Sequence, residues 1–207
     1  IIHQTFQGPK PDMSASSTEA ANTGAPLLWL DFEFTGLDIK KDVVIEAGVV
    51  ATDYRLQSLA SFTTFISHPT ALVRELMDGN PWWRERSKHS ETMLDGVRHS
   101  ETSLDEAGLQ LVRFTREWCR SPAVLAGNSI HNDRKWVDRD FPELSQLLHY
   151  RMLDVSTVKL LAAGMMGVSV KKQESHHALD DIEESIDELR FLLNRMGNVD
   201  MRNYLIE

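Results

Sequence analysis

Two acids stand inside a segment whose other residues belong in a buried strand. In L-L-W-L-D-F-E-F-T-G-L, residues 27–37, period-two alternation puts Leu28, Leu30, Phe32 and Phe34 on one face and Trp29, Asp31 and Glu33 on the other. Carboxylates are rare in central strands. Side chains two apart leave a strand on the same face, roughly 6–7 Å apart at the backbone. Taken alone, the pair reads equally well as the solvent face of an edge strand. Two distant segments shift that balance. A-G-N-S-I-H-N-D-R-K carries Asp133 directly after an apolar run, and S-H-H-A-L-D-D-I-E-E-S carries His176 and Asp181. Each is ordinary by itself, because acids are favoured at helix starts whatever their function. If the four acids converge, repulsion and desolvation would cost on the order of several kcal/mol unless cations neutralise them. Hard oxygen donors favour magnesium or manganese. Two such ions beside a general base are machinery for hydrolysing phosphodiesters. A histidine in the loop before a helix, as expected for His176, is suited to deprotonating water near neutrality. Its neighbour His177 is expected to point elsewhere.

The surrounding patterns imply an α/β fold. V-V-I-E-A-G-V-V-A-T-D (43–53) and L-A-S-F-T-T-F-I-S (59–67) read as two further strands joined by a turn near Asp53–Gln57. Leu104, Ala107, Leu111, Phe114 and Trp118 recur at spacings of three and four, predicting an amphipathic helix capped by Ser103. A short strand is expected at 123–126, a helix after Asn132, a strand near 151–155 and a helix over 156–163. A last helix begins near His177, with Ala178, Ile182, Ile186, Leu189 and Leu193 on one stripe. Strands first, then alternating helix and strand, predict a mixed central sheet flanked by helices.

Residues 1–25, rich in Ser, Thr, Ala, Gly and Pro, read as a flexible tail; Met13 could serve as a start, and F-Q-G-P resembles the remnant of a cleaved tag. The rest, 26–207, reads as one domain. No apolar run approaches the ~20 residues that span a bilayer, so no membrane association is expected. Cys119, alone, cannot form an internal disulfide; it reads as a helical packing residue and fits a reducing compartment. The net charge of −9 is awkward for a protein that tracks long nucleic acid, which usually carries a basic stripe. It points to a short substrate with few phosphates.

The segments W-L-D-F-E-F-T-G-L-D, A-G-N-S-I-H-N-D-R-K, H-Y-R-M-L-D-V-S-T-V-K and S-H-H-A-L-D-D-I-E-E-S-I-D-E-L closely resemble the oligoribonucleases, DEDDh 3′→5′ exonucleases of the ribonuclease-H-like fold. The likeness covers most of residues 27–195. It implies an exoribonuclease that hydrolyses very short single-stranded RNA to 5′-mononucleotides with two magnesium or manganese ions. Asp31, Glu33, Asp133 and Asp181 would be metal ligands and His176 the general base. Histidine at 131 looks more like eukaryotic members, and the expected compartment is cytoplasm or mitochondrion. Ser129, Tyr150 and Arg151 match residues that cap the substrate's 5′ phosphate, the tyrosine being shared across a homodimer. Leu37 matches an apolar wedge between bases.

Two stretches depart from the family. It sets a tryptophan, a histidine five positions later, and S-G-L; here Lys88 falls five after Trp83, His89 one later still, and E-T-M replaces S-G-L. Trp83 and His89 remain the candidates for those substrate contacts. A longer aromatic and basic stretch is also replaced, by L-L-A-A-G-M-M-G-V-S-V. The rival readings are a DEDDh exonuclease acting on longer single-stranded RNA or DNA, and a non-catalytic RNA-binding protein.

Overall fold

A computed structural model describes residues 24–169 and 177–197. Five strands form one sheet: β1 Ala25–Phe34, β2 Val44–Thr52, β3 Ser58–Phe65, β4 Cys119–Gly127 and β5 Leu148–Asp154. Their spatial order is β3-β2-β1-β4-β5. The first three are antiparallel, while β4 and β5 run parallel to β1. The mixed sheet follows the expectation. β1 sits at its centre, and its alternation decides what each face buries. Leu28, Leu30 and Phe32 pack with Leu111, Phe114 and Trp136 on one side. Leu27 and Trp29 pack with Ile182, Ile186 and Leu189 on the other.

The helix predicted after Ser103 is α4, Leu104–Trp118, with Ala107, Leu111, Phe114 and Trp118 buried. The Ser103 hydroxyl accepts the Glu106 N–H at 3.2 Å, as a capping serine does. The last helix is α8, Ala178–Met196, which lies across β1 and β2. Truncating a fully buried leucine or phenylalanine in such layers costs roughly 2–5 kcal/mol.

Three details differ from the sequence reading. Three helices fill the stretch between β3 and α4 that periodicity left unassigned: α1 Thr70–Asp78, α2 Pro81–Arg84 and α3 Ser87–His99. They bury only a few apolar residues each (Val73, Met77, Trp83, Met93, Leu94, Val97), gathered against Ile45 of β2. Cys119 is not helical; it begins β4, where burial pushes its thiol up to about 12. After β4 come α5 His131–Asp140, α6 Pro142–Ser145 and, beyond β5, α7 Val155–Met166. Leu193 of the expected α8 stripe is half exposed, because Leu192 takes the inward position in the last turns.

Candidate active site

β1 delivers two acids to the α8 face. Asp31 and Glu33 share the face of Trp29, and α8 brings Asp181 to them from its first turn. One carboxylate oxygen from each of the three lies within 4.8 Å of the others. Among the described residues, these three form the group of acids able to hold an ion together. The donor set is all oxygen and half-buried to buried, which suits a divalent cation better than a soft metal. Sequence order does not foretell the meeting; the sheet does, by ending β1 beneath the start of α8.

Asp133 is buried nearby, 5% exposed, on the third residue of α5. Its Oδ1 accepts the Phe32 N–H at 3.1 Å. The pairing of β1 with β4 ends at Trp29, so this amide lies past the ladder, and the carboxylate gives it a partner. Asp133 thus reaches β1 between Asp31 and Glu33 without joining their close group. Burial pushes its carboxyl up to about 7, with the charge of Asp154 adding to the rise. A carboxyl held there is poised to exchange a proton for a cation.

The remaining predicted residues divide by location. His176 lies outside the described residues. His177, expected to aim away, places Nδ1 3.7 Å from Oε2 of Glu46 on β2. Ser129 follows the carboxyl end of β4 with φ 50°, a left-handed conformation. Its N–H donates to Asp154 Oδ1 (3.0 Å) and Ser156 Oγ (2.9 Å). Trp83 is 2% exposed; its indole N–H donates to the Phe34 carbonyl at 3.1 Å, at the end of the strand that carries the acids. His89 stacks on Trp83, centroids 5.3 Å apart, and meets the His177 ring edge-on at 5.8 Å. Despite the altered spacing, Trp83 and His89 therefore come together beside the site, Trp83 as a core residue. Leu37 is 75% exposed in the loop after β1.

Tyr150 and Arg151 are not brought to the acids. They lie on edge strand β5, two strands from β1 and so roughly 10 Å to the side. β5 reaches the level of Gly127 only at Asp154. Tyr150 is 74% exposed, and Arg151 lies over its ring at 4.8 Å. With Tyr54, Arg120 and His149, Arg151 lines a cavity of about 480 Å³ toward the amino end of β4, the end away from Asp133.

Sequence reasoning missed two participants. Glu46, inside the strand expected at 43–53, is 4% exposed, and burial raises its carboxyl above the usual range against the lowering pull of the Ala178 N–H and His177. Asp154 caps α7 by accepting the Ser156 N–H at 2.9 Å and also holds Ser129. The available signal was an Asp just before the helix expected over 156–163, since Asp is a favoured N-cap residue.

A family model described as an exonuclease, RNase_T, matches residues 28–189. An oligoribonuclease from Pseudomonas aeruginosa is 40% identical over 168 residues, covering 79% of this chain and 92% of the relative. A mouse protein named mitochondrial oligoribonuclease is 35% identical over 193 residues, covering 88% of this chain and 78% of the relative. Among solved structures, Escherichia coli exonuclease I in a complex with single-stranded DNA superposes with a TM-score of 0.56 at 13% identity. Exonuclease I from Methylocaldum szegediense gives 0.54 at 14%. The chain spans only 43% and 41% of those two structures' chains, and at such identity the likeness concerns the fold alone. No described helix is long and apolar enough to cross a membrane.

Proposed function

Because the chain belongs to the oligoribonuclease family of exonucleases, we propose that it is a 3′→5′ exoribonuclease, releasing 5′-mononucleotides from very short RNA. The observation that carries this reading is the convergence of Asp31, Glu33 and Asp181 within 4.8 Å on the end of the central strand. Two magnesium or manganese ions would be held by these three and by Asp133. When bound, such ions acidify the attacking water and neutralise charge on the pentavalent phosphate and the departing oxygen. The protein's own groups do the rest. His176 accepts the proton of the water whose oxygen bonds to the terminal phosphorus, as the bond from phosphorus to the 3′ oxygen breaks; the departing oxygen is then reprotonated. Leu37 wedges between bases, and Trp83 with His89 shapes the floor under the terminal nucleotide. Ser129 meets the 5′ phosphate. The exonuclease domain runs from residue 26 to 207.

Completion of the 5′ cap requires a second copy. Tyr150 and Arg151 lie to the side of the acids of their own chain, on an exposed edge strand that offers its backbone groups for pairing. In a homodimer, Tyr150 of one protomer would close the partner's site, where Arg151's planar fork suits phosphate. The mouse relative's name favours a mitochondrial setting over a cytoplasmic one.

The test is length dependence. A 5′-phosphorylated RNA dinucleotide and a twenty-nucleotide RNA, at equal concentration with magnesium, should differ strongly in cleavage rate in favour of the dinucleotide. Equal or faster cleavage of the long strand would overturn the capped-site reading, and no cleavage of either with magnesium or manganese would overturn the enzyme.

A further inference from the structure

Helix α8 carries Asp181 into the site, yet its own N-cap residue, His177, contributes no side-chain hydrogen bond to it. A helix start leaves several N–H groups in need of partners. Here a partner comes from another strand. Glu46 of β2 accepts the Ala178 N–H through Oε2 at 3.4 Å and the Thr63 hydroxyl through Oε1 at 3.3 Å. A carboxylate is also the charge that a helix N-terminus favours. With Glu46 only 4% exposed, this bonding is what makes its burial tolerable.

The strand register ties this cap to the acids. Glu46 lies directly opposite Glu33, and Gly48 directly opposite Asp31. Opposed residues on antiparallel strands project from the same face. The points at which Glu46 and Gly48 of β2 meet the start of α8 therefore stand one strand away from the two β1 acids. Gly48 matters through its missing side chain. A Cβ there would come within 2.8 Å of the Ala178 Cβ and 3.0 Å of its carbonyl carbon, too close without moving the helix. So β2 grips the first turn of α8 at one position and makes room for it at the next outward-facing one.

We infer that Glu46, seated beside Gly48, is a positioning residue for the carboxylate site: capping α8 from β2, it fixes Asp181 at the spacing from Asp31 and Glu33 that binds a divalent ion. This rests on the exoribonuclease reading. Glu46 is assigned no contact with substrate, and its effect passes through Asp181. A residue that merely stabilised the fold would lower the melting temperature of the folded protein and leave its ion affinity alone.

The experiment compares wild type, Glu46→Ala, Glu46→Gln and Gly48→Ala. Metal-free protein is titrated with Mn²⁺, the unbound ion being followed by electron paramagnetic resonance. In parallel, kcat and KM are measured on a 5′-phosphorylated RNA dinucleotide at saturating Mn²⁺. Glu46→Ala is expected to weaken Mn²⁺ binding roughly 10- to 100-fold, as loss of an outer partner of a metal ligand does, and to lower kcat with KM little changed. Glu46→Gln keeps an oxygen acceptor for the Ala178 N–H and should recover most of the affinity. Gly48→Ala keeps the carboxylate but displaces the helix, and should reproduce the loss. Folded Glu46→Ala with wild-type Mn²⁺ affinity overturns the assignment. Should Glu46→Ala fail to fold, wild-type affinity in Gly48→Ala overturns it equally. If wild type itself neither binds Mn²⁺ nor cleaves RNA, the exoribonuclease reading falls; if wild type does both and the variants match it, only the role of Glu46 falls.

Discussion

The end of β1 and the edge strand β5 are built on opposite plans. At β1, residues remote in sequence are locked together: Asp133 bonds an amide 101 positions away, and Glu46 one 132 positions away. The side chains are buried, and each is held by elements packed from a different side. At β5, Tyr150 and Arg151 are sequence neighbours with little besides each other and His149, whose ring stacks on Tyr150 at 4.4 Å. In the first region the acids converge within one chain. The second has its groups on display and nothing over them among the described residues. Chemistry that needs fixed charge spacing is entrusted to the core; recognition of substrate length, in the reading proposed above, is left to an assembly.

That contrast can be broken most sharply at Asp133. Asp133→Ala should reduce RNA cleavage by ~10³-fold or more, since it removes a site carboxylate. Activity surviving in purified Asp133→Ala protein, in a contaminant-controlled assay, would mean that the buried region is not the chemical one. His176→Ala should lower kcat by roughly 10²–10⁴ while Mn²⁺ binding persists, which titration of the metal-free protein would check. Tyr150→Ala should lower kcat/KM for the dinucleotide by about tenfold, within the range of one lost base or phosphate contact, and leave Mn²⁺ affinity unaltered. An equal fall in ion affinity would show that the two regions are not separable.

The smallest effect is on stability. In the metal-free protein the folded state holds the Asp133 proton up to about pH 7, whereas an unfolded carboxyl loses it near 3.8. The folded state therefore binds the proton more tightly, and stability falls as pH rises through that window. A divalent ion replaces the proton. The rise in melting temperature on adding Mn²⁺ should accordingly grow by a few degrees between pH 6 and pH 8, and Asp133→Asn should flatten the metal-free profile.

How much of this was legible beforehand follows the same division between local and long-range causes. The faces of β1, the cap at Ser103 and the stripe Ala178, Ile182, Ile186 and Leu189 were readable because each is a local periodicity. The acids themselves were visible as anomalies in apolar surroundings. Helices α1 to α3 were not visible: Lys88, His89, Ser90, Glu91 and Thr92 show no strong stripe, and Met93, Leu94 and Val97 acquire one only by packing on Ile45. Glu46 was hidden for a different reason. Within V-V-I-E-A-G-V-V no local rule distinguishes an acid facing solvent from one capping a helix at the far end of the domain. Trp83 and His89 were misaligned by spacing, yet the turn between α2 and α3 restores their contact.

The long span between Glu33 and Asp181 also bears on the enzyme's birth. A ribosome adds about 5–20 residues per second, so roughly 7 to 30 s separate the emergence of the first acids from that of the last. Until α8 leaves the exit tunnel, the nascent polypeptide has only part of its ion site.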